Sequence, residues 1–318
     1  MTGVLPYRSV LVTGGGGFVG SYLLAGLHSA LPPGAKLVAP SRHDNAETRL
    51  ELNDAPAVVR LVTDLRPDLI FHLAAQSSVG ASTGNAAETW QTNVVGTLNL
   101  AQAVASAAPE ATFVFVSSSE VYGAAFNAGS ATEATTPLPL SPYARTKHVG
   151  EQLLGDVLAS TNRLRIFRPG NHSGPGQDSR FVIPAFANQV AMIEKGKIPP
   201  VIKVGSLAAM RDFLDVRDVV TAYCAVLKQS TSAPRETFNI GSGEAKPIGE
   251  LLDKLLRMAR VPIRVEQDPE RLRTSDVPCA QIDVAKLRDH TKWQPRYGLT
   301  EMIVGVLNDY RRRHGVDC

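Results

Sequence analysis

Ser9-Val-Leu-Val-Thr13 runs directly into Gly14-Gly-Gly-Gly17-Phe-Val-Gly20, and the reading of this stretch decides the architecture. A short β-branched apolar run bounded by glycine predicts a buried strand, and the residues from Phe18 to about Ala30 predict the helix that follows it. The glycines at 14, 17 and 20 satisfy GxxGxxG, and those at 15, 17 and 20 satisfy GxGxxG. Without side chains there, the chain turns tightly and backbone N–H groups approach a diphosphate, whose charge is favoured at a helix N-terminus. The candidate contacts are Gly14, Gly17, Phe18, Val19 and Gly20. A glycine-rich turn that merely closes a helix onto a sheet is the competing reading. Ser21-Tyr22 follows Gly20 where a P-loop would need Lys-Ser/Thr, so that nucleotide cradle is excluded.

Outward from this turn, Lys36–Pro40, Asp68–Leu73, Ala111–Ser117 and Arg163–Phe167 repeat the apolar strand pattern. The alanine-rich stretches Ala55–Leu65, Ala86–Ala108 and Pro142–Ala159 fill the gaps with helix-compatible residues. Alternating strand and helix implies an α/β fold: a Rossmann-type, doubly wound parallel sheet with right-handed crossovers. After about Asn171 the texture changes, with Gly-Pro-Gly at 174–176 and paired prolines at 199 and 200. A smaller substrate-binding lobe is expected here, discontinuous in sequence, because the helix pattern Asp215–Gln229 and the strand pattern Thr237–Gly241 read as a return to the first sheet. The expected boundaries are 1–170 for the dinucleotide-binding domain, rejoined by 212–241, with 171–211 and 242–318 mainly in the lobe.

A chain of 318 residues with 44% hydrophobic and 20% charged residues has the composition of a globular protein with a sizeable core. A near balance of 33 basic and 30 acidic residues gives little reason to expect nucleic acid as a partner, although a local basic pocket for an anionic small molecule remains compatible. The cysteines, Cys224, Cys279 and Cys318, are three in number and lack CxxC or His/Cys spacing, so neither a disulfide framework nor a metal site is expected. No apolar run approaches a membrane span or a signal segment, which makes a cytoplasmic location without membrane partners the expectation. His28, His72 and His172 show no ligand spacing and are expected in core or loop roles.

At the end of the second predicted strand, where an acid would bind an adenosine ribose, the chain carries Ser41-Arg42. The guanidinium of Arg42 offers a fork of donors to a 2′-phosphate, so NADP(H) is preferred, while Asp44 keeps NAD(H) open and a solvated surface arginine is the competing reading. Tyr143 and Lys147 stand one helical turn apart after Pro142 and share a face. An ammonium beside a phenol is expected to lower the tyrosine's pKa, as suits proton exchange with a carbonyl/alcohol pair. Such a pair is common on solvated helix faces; its place after Ser117-Ser-Ser-Glu-Val-Tyr-Gly123, at the carboxyl edge of the sheet, is what points to function. Asn171 is a hydrogen-bonding candidate for sugar or phosphate, and Lys203, Arg211 and Arg273 are cations available to a diphosphate.

TGGGGFVG, FHLAAQSSV, the segment Asn93-Val-Val-Gly-Thr97, VSSSEVYG and SPYARTK occur in an order and spacing that resembles the extended short-chain dehydrogenase/reductase family of nucleotide-sugar enzymes, across essentially the whole chain. The resemblance implies a catalytic triad of Ser118, Tyr143 and Lys147, with Lys147 also touching the nicotinamide ribose. It implies cofactor contacts at Glu51 and Leu52 near the adenine, at Leu73, Ala74 and Ala75 along the cofactor, and at Asn93. Ser119 and Val182 join the implied substrate contacts. The segments Arg168–Gln177, Val201–Gly205, Met210–Asp218 and Arg271–Pro278 resemble the family's reductases of GDP-linked 4-keto-6-deoxy sugars, with Thr274 standing where a proline is expected. The implied reaction is reduction of the C4 ketone of GDP-4-keto-6-deoxy-D-mannose to GDP-D-rhamnose. Glu120, two residues before Tyr122, occupies the position of the C5 base of the family's dehydratases, so a GDP-mannose 4,6-dehydratase is the alternative, followed by a 4-epimerase. A regulator that binds NADP without turnover is the reading from another class, and the intact triad argues against it. Apolar residues on more than one face of the 86–108 and 142–159 helices, including Ala101, Ala103, Val104, Val149 and Leu153, lead to the expectation of a homodimer, as is common in the resembled family.

Overall fold

The computed structural model describes residues 4–42, 48–229, 231–271 and 277–317. In chain order, β1 (Ser9–Thr13), α1 (Phe18–Ala30), β2 (Lys36–Val38), α2 (Ala55–Leu65) and β3 (Leu69–His72) open the molecule. Two short helices follow, α3 (Val79–Gly84) and α4 (Ala86–Trp90). Then come α5 (Gly96–Ala107), β4 (Thr112–Val116), α6 (Pro142–Val157) and β5 (Arg163–Pro169). Local chemistry sets the helix starts. Asp54 caps α2 by accepting from the Ala57 N–H at 3.0 Å, and Ser141 caps α6 by accepting from Ala144 at 3.1 Å, each with proline in the first turn.

Where one helix over 86–108 is expected, the chain instead passes from α4 through a wide π turn, Gln91–Val95, into α5. The wide turn carries Asn93, whose buried carboxamide accepts from Gln76 N at 2.8 Å and donates to Gln76 O at 3.2 Å. It also donates to Thr146 Oγ1 at 3.0 Å, so the irregular turn ties the loop after β3 to α6.

The second half contains β6 (Asn171–Ser173), α7 (Val182–Glu194), β7 (Val201–Val204), β8 (Met210–Asp215), α8 (Val216–Leu227) and β9 (Arg235–Ile240). β10 (Ala245–Pro247), α9 (Ile248–Arg257), β11 (Arg264–Gln267), β12 (Cys279–Ala280), α10 (Ala285–Thr291) and α11 (Leu299–His314) complete it. The main sheet is six-stranded and parallel throughout, in the order β2-β1-β3-β4-β5-β9. This is the doubly wound α/β sheet expected from the alternation, with β9 as its edge strand beside β5. β8, with residues 212–215, lies at the centre of a second, four-stranded sheet with β10, β12 and β6.

One core fills the side of the sheet under α1 and α8, with Val10, Val12, Phe71, Val114 and Phe167 closed to solvent, and another fills the side under α2 and α5. Burying each such side chain contributes roughly 1.5–3 kcal/mol before the entropy of ordering is counted. A separate core, with Phe186, Ile202, Leu252 and Ile303, holds α7, α9 and α11 together. Ala101, Ala103 and Val104 are already buried within this one chain, while Val149 and Leu153 are half-buried. Apolar side chains left exposed near α4 and α6 are Trp90, Leu138 and Leu140.

Candidate active site

The turn from β1 to α1 admits only glycine where it matters. Gly14 has φ +77°, and a Cβ there would stand 2.6 Å from the Ala74 backbone nitrogen; a Cβ on Gly20 would run into the Gly14 carbonyl. Gly17 closes the turn by donating to Gly14 O at 3.0 Å and caps α1 without any side-chain bond. These glycines allow backbone to pack closely, and Gly14, Gly17, Phe18, Val19 and Gly20 line a cleft at the N-terminus of α1, which fits a diphosphate.

Around this turn the carboxyl ends of β1, β3, β4 and β5 and the second lobe enclose a cleft of about 750 Å³. His72, at the end of β3, is buried between two threonines: Thr13 Oγ1 lies 2.7 Å from Nδ1 and Thr97 Oγ1 2.8 Å from Nε2. Because Thr97 donates its hydroxyl to Asn93 O, it accepts from Nε2–H, and Thr13 donates to Nδ1. Burial, with the Lys147 charge added, holds His72 down at about 3, so it is a neutral strut.

Ser118 follows β4 and caps a short 3₁₀ turn, accepting from Glu120 N at 3.2 Å. Tyr143, in the first turn of α6, lies beside Ser118 on the cleft wall, within range of its hydroxyl. Burial pushes the Tyr143 hydroxyl up to about 12; the neighbouring Ser118 hydroxyl opposes this and the Glu120 charge adds to it. The expectation that Lys147 lowers this pKa is thus corrected. Lys147 Nζ instead donates to Val116 O at 2.7 Å, 4.9 Å above the Phe115 ring, and burial pulls it down to about 7 against the raising influence of Glu151.

Behind Lys147 lies a buried ion-pair network that sequence reading missed. Glu151, one turn further along α6, accepts from Arg168 Nε at 2.9 Å and Nη2 at 2.6 Å, and from Ser117 Oγ at 2.6 Å. Burial pushes Glu151 up, but the Arg168 and His148 contacts outweigh it and hold the carboxyl at about 2. Arg168 Nη1 also reaches Tyr122 Oη at 3.1 Å, and Tyr122 donates to Asn239 on β9 at 2.7 Å. The i,i+4 spacing of Lys147 and Glu151 was the available signal; the partner Arg168 lies on a different element.

The cleft wall includes most of the residues singled out from the sequence: Gly14, Gly17, Phe18, Val19 and Gly20; Leu73, Ala74 and Ala75; Ser118, Ser119, Glu120, Tyr143 and Lys147. From the second lobe Asn171, Val182, Lys203 and Arg211 also line it, with Arg211 Nη1 bonded to Met210 O and Val277 O, each at 2.8 Å. Other expected cofactor residues are not on this wall. Asn93 is buried in the Gln76 bonds described above, and Leu52, being apolar, packs into the core beneath α5. Glu51 is exposed. Ser41 forms a backbone link to Thr48 and Leu50, and Arg42 stands exposed beside it. Arg273, Thr274 and Asp44 lie outside the described residues. Arg180 and Arg271 also line the cleft; Arg271 opens a segment that carries the family resemblance, but neither is among the candidate site residues read from the sequence.

The model of the family described as GDP-mannose 4,6 dehydratase matches residues 11–305. GDP-6-deoxy-D-mannose reductase from Pseudomonas aeruginosa is 35% identical over 308 residues, 96% of this chain and 98% of that one. Among solved structures, RMD from Pseudomonas aeruginosa complexed with NADPH superposes with a TM-score of 0.83 at 33% identity, covering 96% of this chain and 99% of its own. The UDP-glucose 4-epimerase of Thermus thermophilus in complex with NAD gives 0.81 at 27% identity, over 95% and 98%. With the glycine turn, the cleft and its serine, tyrosine and lysine already in place, the chain belongs to the GDP-mannose 4,6 dehydratase family of nucleotide-sugar enzymes.

Proposed function

We propose that this chain is a GDP-4-keto-6-deoxy-D-mannose reductase, which uses NADPH to reduce the C4 ketone to the alcohol of GDP-D-rhamnose. The observation that carries this reading is Tyr143: a protonated phenol, beside Ser118, on the wall of a cleft that begins at a diphosphate-sized glycine turn. The 35% identity to a reductase of that substrate class supports it. Bound NADPH supplies the hydride that C4 accepts. Tyr143 gives its proton to the ketone oxygen as that oxygen gains charge, and Ser118 polarises the same oxygen by donating a hydrogen bond. Lys147 holds the nicotinamide ribose.

Gly14, Gly17, Phe18, Val19 and Gly20 take the diphosphate of the cofactor; Ser41 and Arg42 take its 2′-phosphate, with NAD(H) accepted less well. Glu51, Leu52 and Asn93 belong to the adenine side and the frame of that site. Ser119, Asn171 and Val182 face the sugar, while Lys203 and Arg211, together with Arg180 and Arg271, surround the charge of the GDP diphosphate. The exposed Trp90, Leu138 and Leu140 near α4 and α6 support a homodimer, and the free thiols found among the described residues, Cys224 and Cys279, suit a cytoplasmic enzyme.

Glu120, on the cleft wall within electrostatic reach of Tyr143, favours one second reading, GDP-mannose 4,6-dehydration with Glu120 as the C5 base. Incubation with GDP-mannose and with its 4-keto-6-deoxy derivative, each with and without NADPH, separates the two. Loss of NADPH absorbance only with the keto sugar is expected; formation of keto sugar from GDP-mannose without added cofactor establishes the dehydratase instead.

A further inference from the structure

Tyr223 sits on α8 with its ring stacked on Phe167, centroids 4.7 Å apart and planes 11° from parallel. The ring is closed to bulk solvent, and Phe71 packs against it at 6.4 Å. Its hydroxyl is buried and has no hydrogen-bond partner, yet Tyr223 is part of the cleft wall. Of the buried side-chain polar atoms without partners among the described residues, this is the one that belongs to the cleft. An unpaired buried hydroxyl costs roughly 1–3 kcal/mol, so a phenylalanine would serve packing better.

The position in the cleft says what the hydroxyl would meet. Phe167 lies two residues before Pro169, where β5 ends at the cleft, and Tyr143 and Tyr223 both line that cleft. A dinucleotide with its diphosphate at Gly17 and its second ribose at Tyr143 and Lys147 must put its nicotinamide beside Tyr143 and the end of β5. The carboxamide on that ring has a carbonyl and an NH₂ that need partners once buried. Backbone donors there are committed: Pro169 has no N–H, and that of Gly170 goes to Ile240 O at 2.9 Å.

Resting on the reading that this cleft takes a nicotinamide cofactor, we infer that the Tyr223 hydroxyl donates a hydrogen bond to the nicotinamide carboxamide and so fixes the rotation of the ring. Burial pushes the phenol up from its ordinary value, so it keeps the proton it donates.

The test compares NADPH with 2′-phospho-ADP-ribose, which lacks the nicotinamide, by fluorescence or calorimetric titration of wild type and Tyr223→Phe. The variant is expected to raise the Kd for NADPH about fivefold to tenfold, the value of one neutral hydrogen bond, and to leave that for 2′-phospho-ADP-ribose unchanged. The cofactor-free melting temperature is expected to stay level or rise, because an orphan hydroxyl has been removed. An unchanged Kd for NADPH, or equal weakening toward both ligands, overturns the inference. Thionicotinamide NADPH adds a measurement that needs no variant: sulfur is the poorer acceptor, so wild type binds it more weakly than NADPH, and equal binding counts against the contact. Wild-type protein that binds neither NADPH nor NADH removes the cofactor reading itself.

Discussion

Tyr143 holds its proton throughout the pH range in which enzymes are assayed, since burial carries its hydroxyl to about 12, with the neighbouring Ser118 hydroxyl opposing and the Glu120 charge reinforcing that shift. A reduction needs this state at the start of the hydride step, so the rate is expected to show no alkaline loss from Tyr143 itself between about pH 6 and 10. Tyr143→Phe is expected to lower kcat at least ~10²-fold, the scale of one positioned acid, in a steady-state assay with the keto sugar. Near-normal turnover by that variant would reject the assignment. Arg42, exposed at the edge of the described structure, is a case for kinetics with two cofactors. Arg42→Ala should raise the KM for NADPH far more than that for NADH, because only the former carries a 2′-phosphate. Equal changes in both would return it to the solvated surface.

Helix α6 carries the tyrosine and lysine near its start and Glu151 one turn beyond Lys147, so the frame of the site depends on a pair buried behind it. Glu151→Ala would leave Arg168 charged and unpaired, which is expected to cost ~3–5 kcal/mol in urea unfolding at neutral pH. The pair also sets a pH dependence. The folded carboxyl titrates at about 2 against an ordinary 4.5, so the unfolded chain binds more protons between those values. The stability it contributes is therefore present above about pH 4.5 and lost as pH falls through 2. Glu151→Gln should flatten that acid slope, and an unaltered slope would show that other carboxylates carry it. Sequence made α6 legible because capping, proline and spacing are local signals, as were the glycines of the β1–α1 turn. It did not show that Lys147 turns toward Val116 instead of the phenol, nor that Glu151 meets Arg168, because both depend on how separate elements pack. The π turn at Gln91–Val95 was hidden for the same reason: its cause is a contact between Asn93 and Gln76 across the loop.

The whole molecule joins a parallel sheet to a smaller lobe across the cleft, and α8 and β9 cross back after the lobe has begun. If the exposed Trp90, Leu138 and Leu140 mark a twofold contact, light scattering at micromolar concentration should give twice the 34.0 kDa of one chain. A mass near 34.0 kDa with full activity would reject the dimer. The late arrival of β9 also bears on how the protein is made. During synthesis β5 emerges as the bare margin of a five-stranded sheet, and its neighbour Arg235–Ile240 follows only after about 70 more residues, roughly 4 to 14 s at ribosomal rates. For that interval the nascent chain presents an unpaired strand edge to any other chain nearby. Polypeptides released by a stop codon after Leu227 are expected to aggregate or be held by chaperones, whereas ones ending beyond Ile240 should do so far less, which pulse-labelling and sedimentation of the two truncations would reveal.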